Sequence, residues 1–369
     1  MEKLFITGGT GFLGGAVLEK VLNGHLNMEL LLLVRADDLQ SGLNRILNNM
    51  RKFCLSEEVL KKLTIDHILL GDLGNPDTFL DDPRIEQVTY VINCAAVTSF
   101  GNNPFIQKVN IEGTLAFAKR MEQVVGLQRF LHVGTAMSCT PQPGALVTES
   151  AEFHKNAQHL VEYTRTKSTV EQRMRELCPD LPLLIARPSI VVGHTVHGCL
   201  PSTSIFWVFR MGLMMQMFMC SMDDRIDVVP VDYCADALLM LLKSSFPSGD
   251  IVHISAGDES VTFGAIDEAI ARALGELPIS NRYSQVNYET LAMMRHKLKD
   301  IFGPSCNERL MLKAMRLYGA FSMLNVRFCN NKLLSTGISK PPRFTDYISR
   351  CVQTTKGLSI PQQMAVDFK

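Results

Sequence analysis

The sequence has no excess of charge of either sign. Lysine plus arginine and aspartate plus glutamate each number 37, for a formal net charge of zero. A chain that grips nucleic acid needs a basic face to neutralise phosphates, so no nucleic-acid partner is expected. Paired cysteines are also missing. The 10 cysteines stand singly from Cys54 to Cys351, none in a CxxC pair, and no Cys/His cluster has metal-ligand spacing. That pattern excludes a disulfide framework and gives no metal site; buried free thiols in a reducing, cytoplasmic compartment are the expectation. The opening residues lack a basic stretch followed by an apolar one, so no signal peptide is expected, and Lys3-Leu4-Phe5-Ile6 reads as a strand. No apolar run reaches the roughly 20 residues of a membrane span. The nearest, Ile205–Met222, is interrupted by Arg210 and Gln216 and reads as an internal apolar helix. Internal repeats and low-complexity segments are absent.

What is present is an ordinary globular composition, 46% hydrophobic and 20% charged, over 369 residues. That length exceeds one typical core and suggests a large domain with a smaller region appended. Short apolar runs at Leu4–Thr7, Glu29–Val34, His67–Leu70, Val88–Cys94, Phe130–Val133 and Leu183–Ala186 read as strands. Between them lie helical stretches at Phe12–Asn23, Leu39–Phe53, Pro104–Val125 and His159–Leu177. Strands this apolar, without alternation, suit a parallel sheet covered on both faces. The alternating order predicts an α/β, Rossmann-type doubly wound fold, with its site at the carboxyl ends of the strands. After Gly193 the rhythm breaks. A loop over Gly198–Ser204 leads into the methionine-rich helix, then a strand-like Ile226–Pro230, a helix over Tyr233–Lys243, and a mostly helical remainder in which Pro341-Pro342 marks a turn before a short final helix. The expected division is residues 1–198, rejoined by 225–256, as the dinucleotide-binding domain, with 199–224 and 257–369 as a substrate-binding region.

The first strand runs into Gly8-Gly9-Thr10-Gly11-Phe12-Leu13-Gly14, a G-x-x-G-x-x-G spacing at a strand–turn–helix junction. Glycines there allow a tight turn and a close approach of backbone to a pyrophosphate, and the helix N-terminus behind supplies amide donors and partial positive charge. The second strand ends at Val34-Arg35, where an NAD site usually has a carboxylate for the ribose 2′-hydroxyl. Arg35 instead offers a planar cation for a 2′-phosphate, with Arg45 able to assist, which points to NADPH/NADP. The competing reading has Arg35 solvated and Asp37 or Asp38 on the hydroxyl. Asp72, after the third strand and next to Leu73, is either an acceptor for the adenine amino group or a turn aspartate. Ala95 and Ala96, after the fourth, are small enough for a cofactor to lie against the backbone.

Tyr163 and Lys167 form a Y-x-x-x-K, and residues i and i+4 share one helix face. A free tyrosine, with a pKa of about 10, is a poor acid–base group at neutral pH. A lysine ammonium one turn away is expected to lower that pKa. Thr135, just past the fifth strand, can hydrogen-bond a reacting oxygen, with Ser138 as its rival.

Together the glycine motif, Tyr163-xxx-Lys167 and the intervening hydroxyl residue resemble the extended short-chain dehydrogenases/reductases over about residues 1–260. The resemblance implies a nicotinamide cofactor and a Thr135/Tyr163/Lys167 catalytic set. Asn110, in an N-x-x-G-T pattern, is implied as a supporting residue near the cofactor; Pro188 and Ile190 join the expected contacts. Three segments resemble the fatty acyl-CoA reductase and thioester-reductase branch: Leu31–Ala36 with Asn44-Arg45, Ala186–Gly193 and Ile226–Tyr233. That likeness implies hydride transfer to an acyl thioester carried by CoA or an acyl-carrier protein, giving an aldehyde or the alcohol. The sequence departs from the branch in having no adenylation or carrier segment in front, in glycine rather than serine at 134, and in a C-terminal third that matches loosely. A sugar-nucleotide epimerase or dehydratase, a ketone reductase and a non-catalytic binding protein are the competing classes, and a homodimer through the Tyr163/Lys167 helix is left open. The methionines from Met211 to Met222 are a flexible apolar surface that either lines an acyl slot or packs as core.

Overall fold

A computed structural model describes residues 2–98, 103–150 and 158–367. Seven parallel strands form the central sheet: β1 Lys3–Thr7, β2 Glu29–Val34, β3 Ile68–Leu70, β4 Tyr90–Asn93, β5 Arg129–Val133, β6 Leu183–Pro188 and β7 Asp250–Ile254. Their spatial order is β7-β6-β5-β4-β1-β2-β3. The chain winds outward from β1 to β3, then restarts on the other side at β4. The crevice where a doubly wound sheet takes its ligand therefore opens between the ends of β1 and β4.

Side chains alternate across the sheet, and each face buries a separate core. Leu4 and Ile6 pack with Val17, Ile46 and Leu238, under α1 Phe12–Leu22, α2 Leu39–Lys52 and α6 Val231–Leu242. Phe5 points the other way, edge-on to Phe117 with ring centroids 5.1 Å apart, among residues of α3 and α4. The helix α3 has three stretches, Phe105–Gln107, a π-helical Lys108–Gly113 and Thr114–Glu122; α4 spans Glu162–Leu177. The widened turn in α3 was not foreseen. It brings Gly113 against the turn after β3, where a Cβ would stand 1.6 Å from the Leu73 carbonyl oxygen.

Beyond β6 the expectations needed correction. The methionine-rich helix, α5, covers Phe206–Met215 only. Gln216 takes a left-handed conformation at φ 54° and ends it, and Met217–Phe218 then pairs with Ser284–Gln285. The strand-like stretch 226–230 stays outside the main sheet. Arg225–Ile226 pairs with Val261–Thr262, and Val228–Val229 with Ile190–Val191; the strand that does rejoin the sheet is β7. The remainder is mostly helical, with α7 Phe263–Leu274, α8 Glu308–Ser322, α9 Phe344–Thr354 and α10 Ile360–Asp367. A third core joins Trp207, Met211 and Met215 of α5 to Met311, Met315 and Tyr318 of α8. Among the described residues no helix is long and apolar enough to cross a membrane.

Candidate active site

One cleft of about 570 Å³ runs along the carboxyl ends of the strands. At its floor β1 and β4 are locked together. Thr7 Oγ1 donates to Asn93 Oδ1 at 2.6 Å and accepts from the Ala95 amide at 3.0 Å. Gly8 turns there with φ +75°, and a Cβ on it would come within 2.8 Å of the Ala95 nitrogen. Gly14 is required for a different contact, since its Cβ would sit 2.4 Å from the Gly8 carbonyl oxygen. Two glycines of the motif thus answer packing demands inside the protein, as well as leaving the loop's outer side open.

Among the described residues no side chain caps the N-terminus of α1 at Gly11. Its first amides are left to an outside acceptor, and a phosphate suits that position. This fits the dinucleotide that the glycine spacing implies. Asn49, which sequence reasoning missed, secures the loop from behind: its Nδ2 donates to the Gly9 and Gly11 carbonyls, both at 3.0 Å. Asn49 lies on the buried stripe of α2 with Leu43, Ile46 and Met50, and an amide on an apolar stripe was the available signal.

Arg35 and Arg45 both line the cleft. Arg45 Nη1 donates to the Arg35 carbonyl, drawing the Arg45 side chain to the end of β2. The Arg35 guanidinium is 66% exposed and faces Asp72 at 3.8 Å, a loose surface pair worth little against an incoming anion. Asp72 also serves its own turn, accepting from the Gly74 amide at 2.8 Å. Asp38 caps α2 by accepting from Ser41, and among the described residues the cleft lining includes neither it nor Asp37.

At the other end stand Thr135, Tyr163 and Lys167, with Pro188 and Ile190 also on the wall; Thr10, Phe12, Leu13, Leu73, Ala95 and Ala96 complete the expected lining. Ser138, the rival of Thr135, is buried away from the cleft. Asn110, expected as a supporting residue near the cofactor, is not among the described residues that line the cleft. Its amide holds both polar groups of Val97, at 2.7 and 3.0 Å, and the Thr166 hydroxyl at 3.1 Å, so it ties α3 and α4 to the loop after β4.

The electrostatics differ from expectation. Burial first, and then the negative charge of Glu171, push the Tyr163 phenol above its ordinary pKa. Lys167 donates to the Val133 carbonyl at 2.7 Å. Burial lowers its ammonium to about 8, with Glu171 and then Cys94 pulling the other way. The tyrosine therefore keeps its proton at neutral pH, which suits a proton donor. Glu171 continues the line Tyr163, Lys167, Glu171 at one-turn spacing along α4. Its carboxylate takes Arg187 Nε at 3.0 Å and Nη2 at 2.5 Å, a fully buried pair. Gly134 abuts that pair, and a Cβ there would be 2.1 Å from Glu171 Oε1. This is the physical reason for glycine at 134.

The fold also gathers Glu19, His194 and His197, whose ligand atoms lie within 4.8 Å of one another, a grouping the sequence spacing did not reveal. Hydrogen bonds account for it. His194 Nδ1 accepts from the amides of Val196 and His197 at 3.0 and 3.2 Å. The proton thus sits on Nε2, directed at Glu19 Oε2 3.3 Å away, and a metal would have to displace it.

Comparison with known proteins places these features in a family. Residues 6–238 match the family described as male sterility protein. A probable fatty acyl-CoA reductase from Arabidopsis thaliana is 24% identical over 358 residues, covering 76% of this chain and 72% of the relative. A fatty acyl-CoA reductase from Drosophila melanogaster is 28% identical over 275 residues, and the match spans 64% of this chain but only 53% of that protein. Among solved structures, the terminal R domain of the myxalamid PKS-NRPS pathway superposes with a TM-score of 0.77 at 20% identity, over 96% of this chain and 90% of that one. The UDP-glucuronic acid 4-epimerase of Bacillus cereus, in complex with NAD, follows at 0.64 and 14%, over 96% and 99%; at such identities both speak for the fold alone. With well over half its length matched, the chain belongs to the male sterility protein family, nicotinamide-dependent oxidoreductases of the extended short-chain dehydrogenase/reductase type.

Proposed function

We propose that the chain is an NADPH-dependent reductase of acyl thioesters, carried by CoA or an acyl-carrier protein, that releases an aldehyde. One observation carries the reading. A single cleft has the glycine turn and Arg35 at one end and Thr135, Tyr163 and Lys167 at the other. The exposed Arg35 guanidinium, with Asp37 and Asp38 away from the cleft, supports a 2′-phosphate over a free hydroxyl. Residues 1–198 and 225–256 hold the dinucleotide, while 199–224 and 257–369 cover the substrate; Ser202, Ser204, Ile205, Tyr318 and Phe321 on the cleft wall support that division.

A reduced nicotinamide dinucleotide held by the glycine turn and Arg35 would supply hydride to the thioester carbonyl carbon. Thr135 and Tyr163 donate hydrogen bonds to the carbonyl oxygen as its negative charge develops, and Tyr163 gives that oxygen its proton. Lys167 holds positive charge one turn below the phenol, favouring the phenolate left behind. The carbon–sulfur bond of the hemithioacetal then breaks, the hydroxyl becomes the aldehyde carbonyl, and the thiol departs with the proton.

The test is a panel of acyl-CoA thioesters with NADPH or NADH, with products identified by mass spectrometry. The reading requires NADPH oxidation coupled to aldehyde or alcohol formation. Absence of thioester turnover, or turnover of sugar nucleotides with retained NAD, would overturn it in favour of an epimerase.

A further inference from the structure

A second, smaller chamber of about 60 Å³ lies beyond the cleft. The two share Ile190, Ile205, Tyr318 and Phe321 as walls, so the chamber continues the substrate end of the cleft. We propose that it seats the terminal methylenes of the acyl group's hydrocarbon tail and that Gly212 sets how far the tail reaches; this rests on the thioester-reductase reading.

The helix α5 is divided between two tasks. Ile205, Val208, Phe209, Gly212 and Leu213 recur at the spacing of one helix face and line the chamber. Trp207, Met211 and Met215 lie on the other side, in the C-terminal core. Met211 and Met215 therefore pack while Met214 is half exposed, and the chamber face belongs to other residues of α5.

Two of the chamber's polar side groups already have acceptors within the protein. The Tyr283 hydroxyl donates to the Cys220 carbonyl at 2.8 Å, and the Ser322 hydroxyl to the Gly319 carbonyl at 2.9 Å. Around them Phe218, Met222, Phe263 and Ile266 present only apolar atoms. Amides of a peptidyl chain or of pantetheine would meet few partners on this mostly apolar wall, each unpaired group costing roughly a tenfold loss of affinity. An alkyl tail meets no such penalty and gains by burial.

Gly212 is an interior helical glycine, a position where alanine is normally preferred. Its missing side chain leaves the chamber open. A Cβ there would lie 3.7 Å from Phe218 Cβ, an ordinary contact, so enlargement at 212 fills the chamber without clashing with backbone.

The experiment measures kcat/KM for hexadecanoyl-CoA and hexanoyl-CoA with NADPH in wild type, Gly212→Ala and Gly212→Leu. It also measures binding of the unreactive hexadecyl-CoA thioether. The ratio of long- to short-chain kcat/KM is expected to fall about threefold in Gly212→Ala and tenfold or more in Gly212→Leu, since each displaced methylene is worth roughly fourfold. Thioether binding should weaken in parallel. An unchanged ratio with unchanged thioether binding overturns the chamber assignment while leaving the reductase reading intact. Absence of thioester turnover in wild type overturns that reading instead, and thioether binding then judges the chamber. If Gly212→Leu does not fold, the Gly212→Ala ratio decides.

Discussion

Replacing Gly134 by alanine tests the electrostatic support beneath the active site. Gly134 is outside the left-handed region, so the added methyl alone is at issue. It would stand 2.1 Å from Glu171 Oε1 and 3.2 Å from Arg187 Cγ. Reaching the ordinary 3.4 Å separation requires the carboxylate to retreat by about 1.3 Å. It can do so only by loosening its bonds to Arg187, of 3.0 and 2.5 Å. Loss of one charge-assisted hydrogen bond costs about 1.5–3 kcal/mol. Breaking a buried pair outright costs about 3–5 kcal/mol. The expected destabilisation, read by urea unfolding, is therefore between about 1.5 and 4 kcal/mol. The same substitution in a Glu171→Ala/Arg187→Met background, which has neither charge to displace, should cost less than about 1 kcal/mol. Equal costs in the two backgrounds would show that the Glu171 clash is not why glycine stands at 134.

Three further outcomes follow from the site. Lys167 is charged below about 8 and neutral above it, so kcat/KM should fall as pH rises through that value; Glu171→Gln removes a charge that raises the lysine pKa and should move the fall to lower pH. A limb near 10.4, the ordinary lysine value, would contradict the burial argument. Tyr163→Phe should lower kcat by about 100- to 10,000-fold with NADPH binding nearly unchanged, as measured by fluorescence titration. Arg35→Ala should raise the KM for NADPH by roughly tenfold to a hundredfold and leave that for NADH alone; an equal effect on both would assign the arginine no phosphate.

Local signals made much of this legible. The apolar strands, the glycine turn and the Tyr163/Lys167 spacing each lie within a short window, and periodicity or turn chemistry reads them directly. Contacts between distant segments were not so marked. Asn49 reaches the glycine loop from 38 residues away, and Glu19 meets His194 across 175. The Tyr163 pKa ran opposite to expectation because spacing names the neighbouring cation but is silent on burial, the larger cause. The end of α5 at Met215 depends on one left-handed residue, Gln216, a conformation that composition does not announce. Its two faces became distinguishable only once α8 was packed against one of them.

The most direct test of the central claim is to follow deuterium from NADPH labelled at the reactive nicotinamide carbon. During turnover of an acyl thioester, mass spectrometry should find the label on the former carbonyl carbon of the aldehyde or alcohol, one per hydride delivered, and Tyr163→Phe should slow its appearance. A product without label, or label that stays with the dinucleotide through every cycle, would contradict net reduction at this site.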